Sequence, residues 1–175
     1  MENPPPWSRG RAAMLYRDRG RKLVLALKHG DRQEIARPAG LWLSHAVADI
    51  VTQNTLIAPV PLHWLRMIKR RFNQSALLAK ALSQRVERPW SPDLLQRIRR
   101  TRTLDGLDRA GRIEAVEKAI RVHPLRRHRL IGRPVLLVDD VMTTGATLAA
   151  CAQACLDAGS GPVNVVTLAR VAKDA

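Results

Sequence analysis

The chain has 175 residues, with 30 Lys and Arg against 15 Asp and Glu and very few aromatic side chains. That length suits one domain with a core of Ala, Leu, Val and Ile. The surplus of positive charge attracts phosphates, nucleic acid or anionic membrane surfaces without choosing among them. No run of about eighteen apolar residues occurs, which excludes a membrane-spanning helix. Cys151 and Cys155 are the only cysteines, too few for a disulfide framework or a four-ligand zinc site. The opening Met-Glu-Asn-Pro-Pro-Pro-Trp lacks the apolar stretch of a secretory signal, so a cytoplasmic protein is expected.

In chain order, residues 1–11 read as a disordered lead-in and 12–175 as the domain. Ala12 to Tyr16 predicts a first strand, turned by Arg17-Asp18-Arg19-Gly20 into a helix from about Lys22 to Lys28. A second helix is expected from Ile35 to Val51, interrupted near Pro38 and Gly40. Leu56 to Pro61 reads as a strand that stops at its prolines, which have no N–H for the ladder. A helix over Ser75 to Val86 follows, with Leu77, Leu78, Ala81 and Leu82 on its buried stripe. Leu94 to Ile98 is a short strand or a helical turn, Arg99 to Arg112 a polar mobile loop, and Ile113 to Ile120 helix or extended chain. Three basic runs, at 66–71, 97–102 and 126–129, are either solvated faces or nucleic-acid contacts. On the helix beyond the last strand-turn motif, Cys151 and Cys155 share one face at i,i+4 and read as small buried thiols.

Residues 135–148 carry the most chemistry. Val135 to Val138 is a short β-rich apolar run that fits a strand buried on both faces of a parallel sheet. Asp139 and Asp140 then fall at its carboxyl end, where ligands of open α/β sheets bind. Thr143, Thr144, Gly145, Ala146 and Thr147 follow, combining hydroxyls, a permissive glycine and the N–H groups that open a helix over 146–157, an arrangement suited to a phosphate. The carboxylates suit ribose hydroxyls or Mg²⁺. In the plainer reading Thr143 and Thr144 merely cap the helix. No P-loop or dinucleotide-binding glycine motif is present in the chain. A strand over Val163 to Leu168 completes a β-α-β crossover.

The Val135 to Thr147 stretch resembles the diphosphoribosyl-binding motif of type I phosphoribosyltransferases. Three further landmarks resemble the ComF family of competence-associated, phosphoribosyltransferase-like proteins: Leu27-Lys28-His29-Gly30-Asp31, Pro59-Val60-Pro61-Leu62-His63 with Arg66 and Arg71-Phe72-Asn73-Gln74, and Thr101 to Arg112 containing Gly106-Leu107-Asp108-Arg109. The similarity spans roughly residues 12–170. Leu104, Ala115 and Arg71 depart from the family pattern, and the Cys-rich zinc module common at the family's amino terminus is expected to be lacking here.

The resemblance implies an α/β fold, an open, mostly parallel sheet flanked by helices, of type I phosphoribosyltransferase kind. It also implies phosphoribosyl diphosphate as ligand, with Mg²⁺ and without direct protein ligation of the metal. Asp139 and Asp140 would hold the ribose hydroxyls and act as the catalytic pair, and Thr143, Thr144, Gly145, Ala146 and Thr147 the 5-phosphate. Arg66, Lys69 and Arg70 would neutralise the diphosphate, and the loop carrying Thr101 and Arg109 would close as a lid. Transfer of the phosphoribosyl group to an acceptor is then the expected reaction, with no acceptor readable. The alternative is a non-catalytic nucleic-acid-associated factor in DNA uptake that keeps the site as sensor or relic, with single-stranded DNA as partner. A third reading is an interaction subunit on a helicase-like competence protein. His63, His29, Asn73 and Gln74 have both structural and functional readings, and the oligomeric state stays open.

Overall fold

Side chains alternating between two buried faces of a parallel sheet build the fold. The computed structural model describes residues 4–29, 33–62, 72–98 and 119–172. Strand β1 (Arg9–Leu15) leads to helix α1 (Asp18–His29). A short 3-10 turn, Gln33–Ile35, enters α2 (Ala36–Ala46), followed by β2 (Leu56–Pro59), α3 (Gln74–Val86) and β3 (Leu95–Arg97). Beyond these come β4 (Ile120–Val122), the 3-10 helix Pro124–Arg129, β5 (Val135–Met142), α4 (Ala146–Asp157) and β6 (Val163–Arg170). The main sheet has the order β1-β6-β5-β2 with every pairing parallel, and β3 and β4 form a separate antiparallel pair. No helix among the described residues is long and apolar enough to cross a membrane.

Val135 and Leu137 point into one core with Leu56, Ala58, Val163, Val165 and the buried side of α4. Leu136 and Val138 point into the other, with Ile57, Val166, Leu168 and the apolar faces of α1, α2 and α3. Burial on both faces therefore holds for Val135 to Val138, and each fully buried Leu there contributes about 1.5–3 kcal/mol. The outer edge of β2 is covered by residues 89–91: Ile57 donates to the Pro89 carbonyl at 2.9 Å and Ser91 donates to the Ile57 carbonyl at 2.9 Å.

Several boundaries differ from those expected. Strand β1 begins at Arg9, inside the stretch read as a lead-in, because Arg9 to Ala12 pair with Asn164 to Thr167 and the Trp7 side chain packs on the core. Helix α1 starts at Asp18, since Gly20 and Arg21 donate to the Arg17 carbonyl and the turn is itself the first helical turn. Helix α2 runs without a break past Pro38 and Gly40 and ends at Ala46, short of Val51. Pro38 lies in its first turn, where an N–H has no intrahelical acceptor. Gly40 is the point of contact with α3, where a Cβ would stand 2.9 Å from both the Cβ and the carbonyl carbon of Ala81. Strand β5 continues beyond Val138 through both aspartates to Met142, because its ladder with β6 persists to the Met142–Arg170 pair.

Candidate functional site at the strand ends

The chain leaves β2 toward α3 on one face of the sheet and leaves β5 toward α4 on the other. Adjacent parallel strands whose connections depart in opposite directions open a crevice between their carboxyl ends, where ligands of such sheets bind. Asn73 fixes one wall. Its side-chain oxygen accepts from the Ser75 N–H at 3.0 Å, and its Nδ2 donates to the Val60 carbonyl at 3.1 Å, so α3 is capped onto the end of β2. Of the two readings for Asn73, the cap is the one the geometry bears out. Gln74, the first residue of α3, is buried, and its Nε2 has no partner among the described residues.

Asp139 and Asp140 lie in the carboxyl-terminal half of β5, the first half-buried and the second buried. Ser75 Oγ, from the first turn of α3, donates to Asp139 Oδ1 at 2.8 Å, and the Asp140 N–H donates to the same oxygen at 2.9 Å. From the other face the Cys151 thiol of α4 lies close enough to feel the Asp139 carboxylate. Burial pushes that thiol well above its usual range, and the neighbouring Cys155 and Asp139 add to the effect. Burial also raises the Cys155 thiol, to about 12. Both cysteines are thus inert buried side chains, as their spacing suggested.

The turn from β5 into α4 forms the opposite wall. Thr143 and Thr144 are exposed, and Gly145 is the N-cap of α4 with φ 80° and ψ 0°, in the left-handed region. Neither threonine is the N-cap residue, and the Ala146 N–H reaches Thr144 Oγ1 only at 3.4 Å. Capping therefore does not account for the pair. What remains is a turn presenting hydroxyls beside the first-turn N–H groups of a helix, a geometry that favours an anion. Beneath it lies Trp7, whose ring would stand 3.0 Å from a Cβ on Gly145, with Met142 Sδ at 3.7 Å. Sequence reading missed both Trp7 and Ser75. The proline-rich setting of the first masked its packing, and no local pattern links the second to Asp139.

Arg66, Lys69 and Arg70, with His63, lie outside the described residues, as do Thr101 and Arg109. Of the basic runs, the one at 126–129 is tied into the fold at the opposite end of the sheet. Arg126 pairs with Asp93 at 2.9 Å, Arg127 donates to the Ala158 carbonyl at 3.2 Å, and Arg129 donates to Ser91 Oγ at 3.2 Å. Among the described residues no group of three or more His, Cys, Asp or Glu side chains is placed to hold a metal ion.

No family model matches the chain. Curated relatives do: it is 34% identical to the DNA utilization protein YhgH of Escherichia coli strain K12 over 97% of this chain and 75% of that protein. It is also 33% identical to Competence protein F of Haemophilus influenzae, over 65% of this chain and 49% of that one. The chain belongs to the ComF family. Among solved structures, this ComF-family chain is similar to the glutamine phosphoribosylpyrophosphate amidotransferase of B. subtilis, with TM-score 0.54 and 16% identity over 83% of the chain. It spans 30% of that enzyme. The structure of the allosteric regulatory enzyme of purine biosynthesis matches equally, with TM-score 0.54 and 16% identity over 83% of the chain and 30% of that one. At this identity the likeness establishes the type I phosphoribosyltransferase fold, as expected from the sequence.

Proposed function

We propose that the chain binds phosphoribosyl diphosphate together with Mg²⁺ in the crevice at the end of β5, and transfers the phosphoribosyl group to an acceptor nucleophile. One observation carries this reading. The left-handed Gly145 turn, with its threonine hydroxyls and helix N–H groups, follows at once on the end of the strand that carries Asp139 and Asp140, which supports a phosphate site and a ribose hydroxyl site at one strand end. Thr143, Thr144, Gly145, Ala146 and Thr147 take the 5-phosphate. Asp139 and Asp140 accept from the ribose hydroxyls, with Ser75 orienting the first of them. The hard carboxylate oxygens of Asp139 and Asp140 would suit a Mg²⁺ that arrives with the ligand. When bound, such an ion would supply charge neutralisation for the departing diphosphate. In the transfer the C1–oxygen bond to diphosphate breaks, the bond from C1 to the acceptor forms, and the diphosphate leaves with the bonding pair. Positioning and electrostatics supply most of the acceleration. From sequence alone, Arg66, Lys69 and Arg70 are assigned to the diphosphate.

Calorimetric titration with phosphoribosyl diphosphate and Mg²⁺ tests the reading, run on wild type and on Thr144→Ala with Gly145→Ala. Saturable heat in the wild type and none in the folded variant is expected. No heat in either would end it.

A second reading is a nucleic-acid-associated factor in DNA uptake that keeps this site as a sensor. It is supported by the names of the relatives, DNA utilization protein and Competence protein F, and by the net charge of +15. Affinity for single-stranded DNA that falls steeply with salt and survives Asp139→Asn with Asp140→Asn is its expected signature.

A further inference from the structure

The fold assembles a cationic groove that no run in the sequence announces. Arg37 of α2 and Lys80 and Arg85 of α3 line a groove of about 410 Å³, together with Gln84 and an apolar floor of Ala36, Leu77 and Ala81. All three cations are exposed, and none makes an ion pair or side-chain hydrogen bond among the described residues. The contrast with the run at 126–129, whose arginines are spent on Asp93, Ser91 and backbone carbonyls, is direct. The groove exists because α2 and α3 close on each other at Gly40 and Ala81, which leaves small side chains between the two rows of longer ones. On α3, Leu77, Ala81 and Arg85 follow at i,i+4, with Lys80 and Gln84 on the neighbouring ridge.

Charge and shape together select the occupant. Two of the three cations are spaced along α3, and the third stands on the neighbouring α2. Lys80 and Arg85 are separated by about 7.5 Å along the helix axis, so they offer charge along a line. The shallow floor has no aromatic ring on which bases stack, so contact with the backbone is the mode it fits. We propose that this groove seats a single nucleic-acid strand through its phosphates. The proposal gives the nucleic-acid reading above a place on the fold and rests on that reading. Its α3 cations, Lys80 and Arg85, stand about 7.5 Å and about 15 Å along the helix from Ser75, on the way from the strand-end crevice to the far end of α3.

The test is fluorescence anisotropy of a labelled mixed-sequence 20-nucleotide DNA strand over a salt series. Arg37→Ala with Lys80→Ala and Arg85→Ala is compared with a charge-matched control, Arg19→Ala with Arg21→Ala and Lys22→Ala, which removes exposed cations of α1. The groove variant is expected to lose at least about tenfold in affinity and its log–log salt slope to shrink by about 2, three contacts at ~0.7 each. The control should stay within about threefold with its slope unchanged. Equal weakening in both variants, or none in the groove variant, overturns the assignment while leaving nucleic-acid binding intact. Absence of binding by the wild type removes the nucleic-acid reading itself. Groove-dependent binding of polyglutamate or of phosphatidylglycerol vesicles in place of DNA would overturn it in favour of another anionic partner.

Discussion

Gly145 is held by two independent constraints, a backbone at φ 80° and a tryptophan ring 3.0 Å from where a Cβ would sit. Gly145→Ala should therefore cost about 1–2 kcal/mol for the left-handed backbone and more for the displaced ring. Trp7→Ala relieves the second term only. A denaturation double-mutant cycle is expected to give a favourable coupling of at least ~0.5 kcal/mol, and strict additivity would mean that the ring does not support the turn. Ser75→Ala removes the side-chain donor to Asp139. With hydrogen bonds to charged groups contributing ~1.5–3 kcal/mol and Asp139 only half-buried, a loss of about 1–2 kcal/mol is expected in urea unfolding. Affinity for phosphoribosyl diphosphate should fall about five- to thirtyfold by the same conversion, and unchanged affinity would free Asp139 from its assigned role. The acids and the threonine turn were legible in the sequence because all lie within a single strand–turn–helix. Ser75 and Trp7 were not, since one reaches Asp139 across 64 positions and the other comes from a segment with no periodicity of its own.

At the scale of elements, the contact of α2 with α3 depends on the absence of a side chain at Gly40. Gly40→Leu would drive a branched side chain into the Ala81 backbone, and overpacking of this kind costs ~1–3 kcal/mol. Thermal unfolding should show the loss, and an unchanged midpoint would mean that the helices separate freely. The Asp93–Arg126 pair anchors the 3-10 helix Pro124–Arg129 at 2.9 Å. Partial burial works against the charged form of Asp93, but the hydrogen bond and charge of Arg126 outweigh it and hold the carboxyl below its ordinary 3.8. A depressed carboxylate contributes stability that is fully present above 3.8 and is lost as pH falls through the folded-state value. Asp93→Asn should cost under about 1 kcal/mol near neutrality, given the exposure of the pair, with the difference vanishing in strong acid. A deficit that persists there would point to packing. Helices Gln74–Val86 and Ala146–Asp157 were legible almost to the residue, since the Asn73 cap marks the start of the first and the Gly145 turn that of the second. Strand ends were not, because β1 and β5 extend as far as β6 offers partners, which is a tertiary fact.

Across the whole molecule, the sequence shows a surplus of 15 positive charges but not which of them are engaged. Folding commits Arg126, Arg127 and Arg129 to one end of the sheet and, among the described residues, leaves Arg37, Lys80 and Arg85 unpartnered around a groove. The parallel sheet places the acid pair and the Gly145 turn at the opposite end, so two anion-attracting surfaces occupy different parts of one domain. The central claim is that the crevice at the end of β5 is the phosphoribosyl diphosphate site. Amide chemical shifts on titration with phosphoribosyl diphosphate and Mg²⁺ test it most directly. The account predicts saturable shifts concentrated at Asp139, Asp140 and residues 143–147 that disappear in Asp139→Asn with Asp140→Asn, and shifts confined to other surfaces, or none at all, would contradict it.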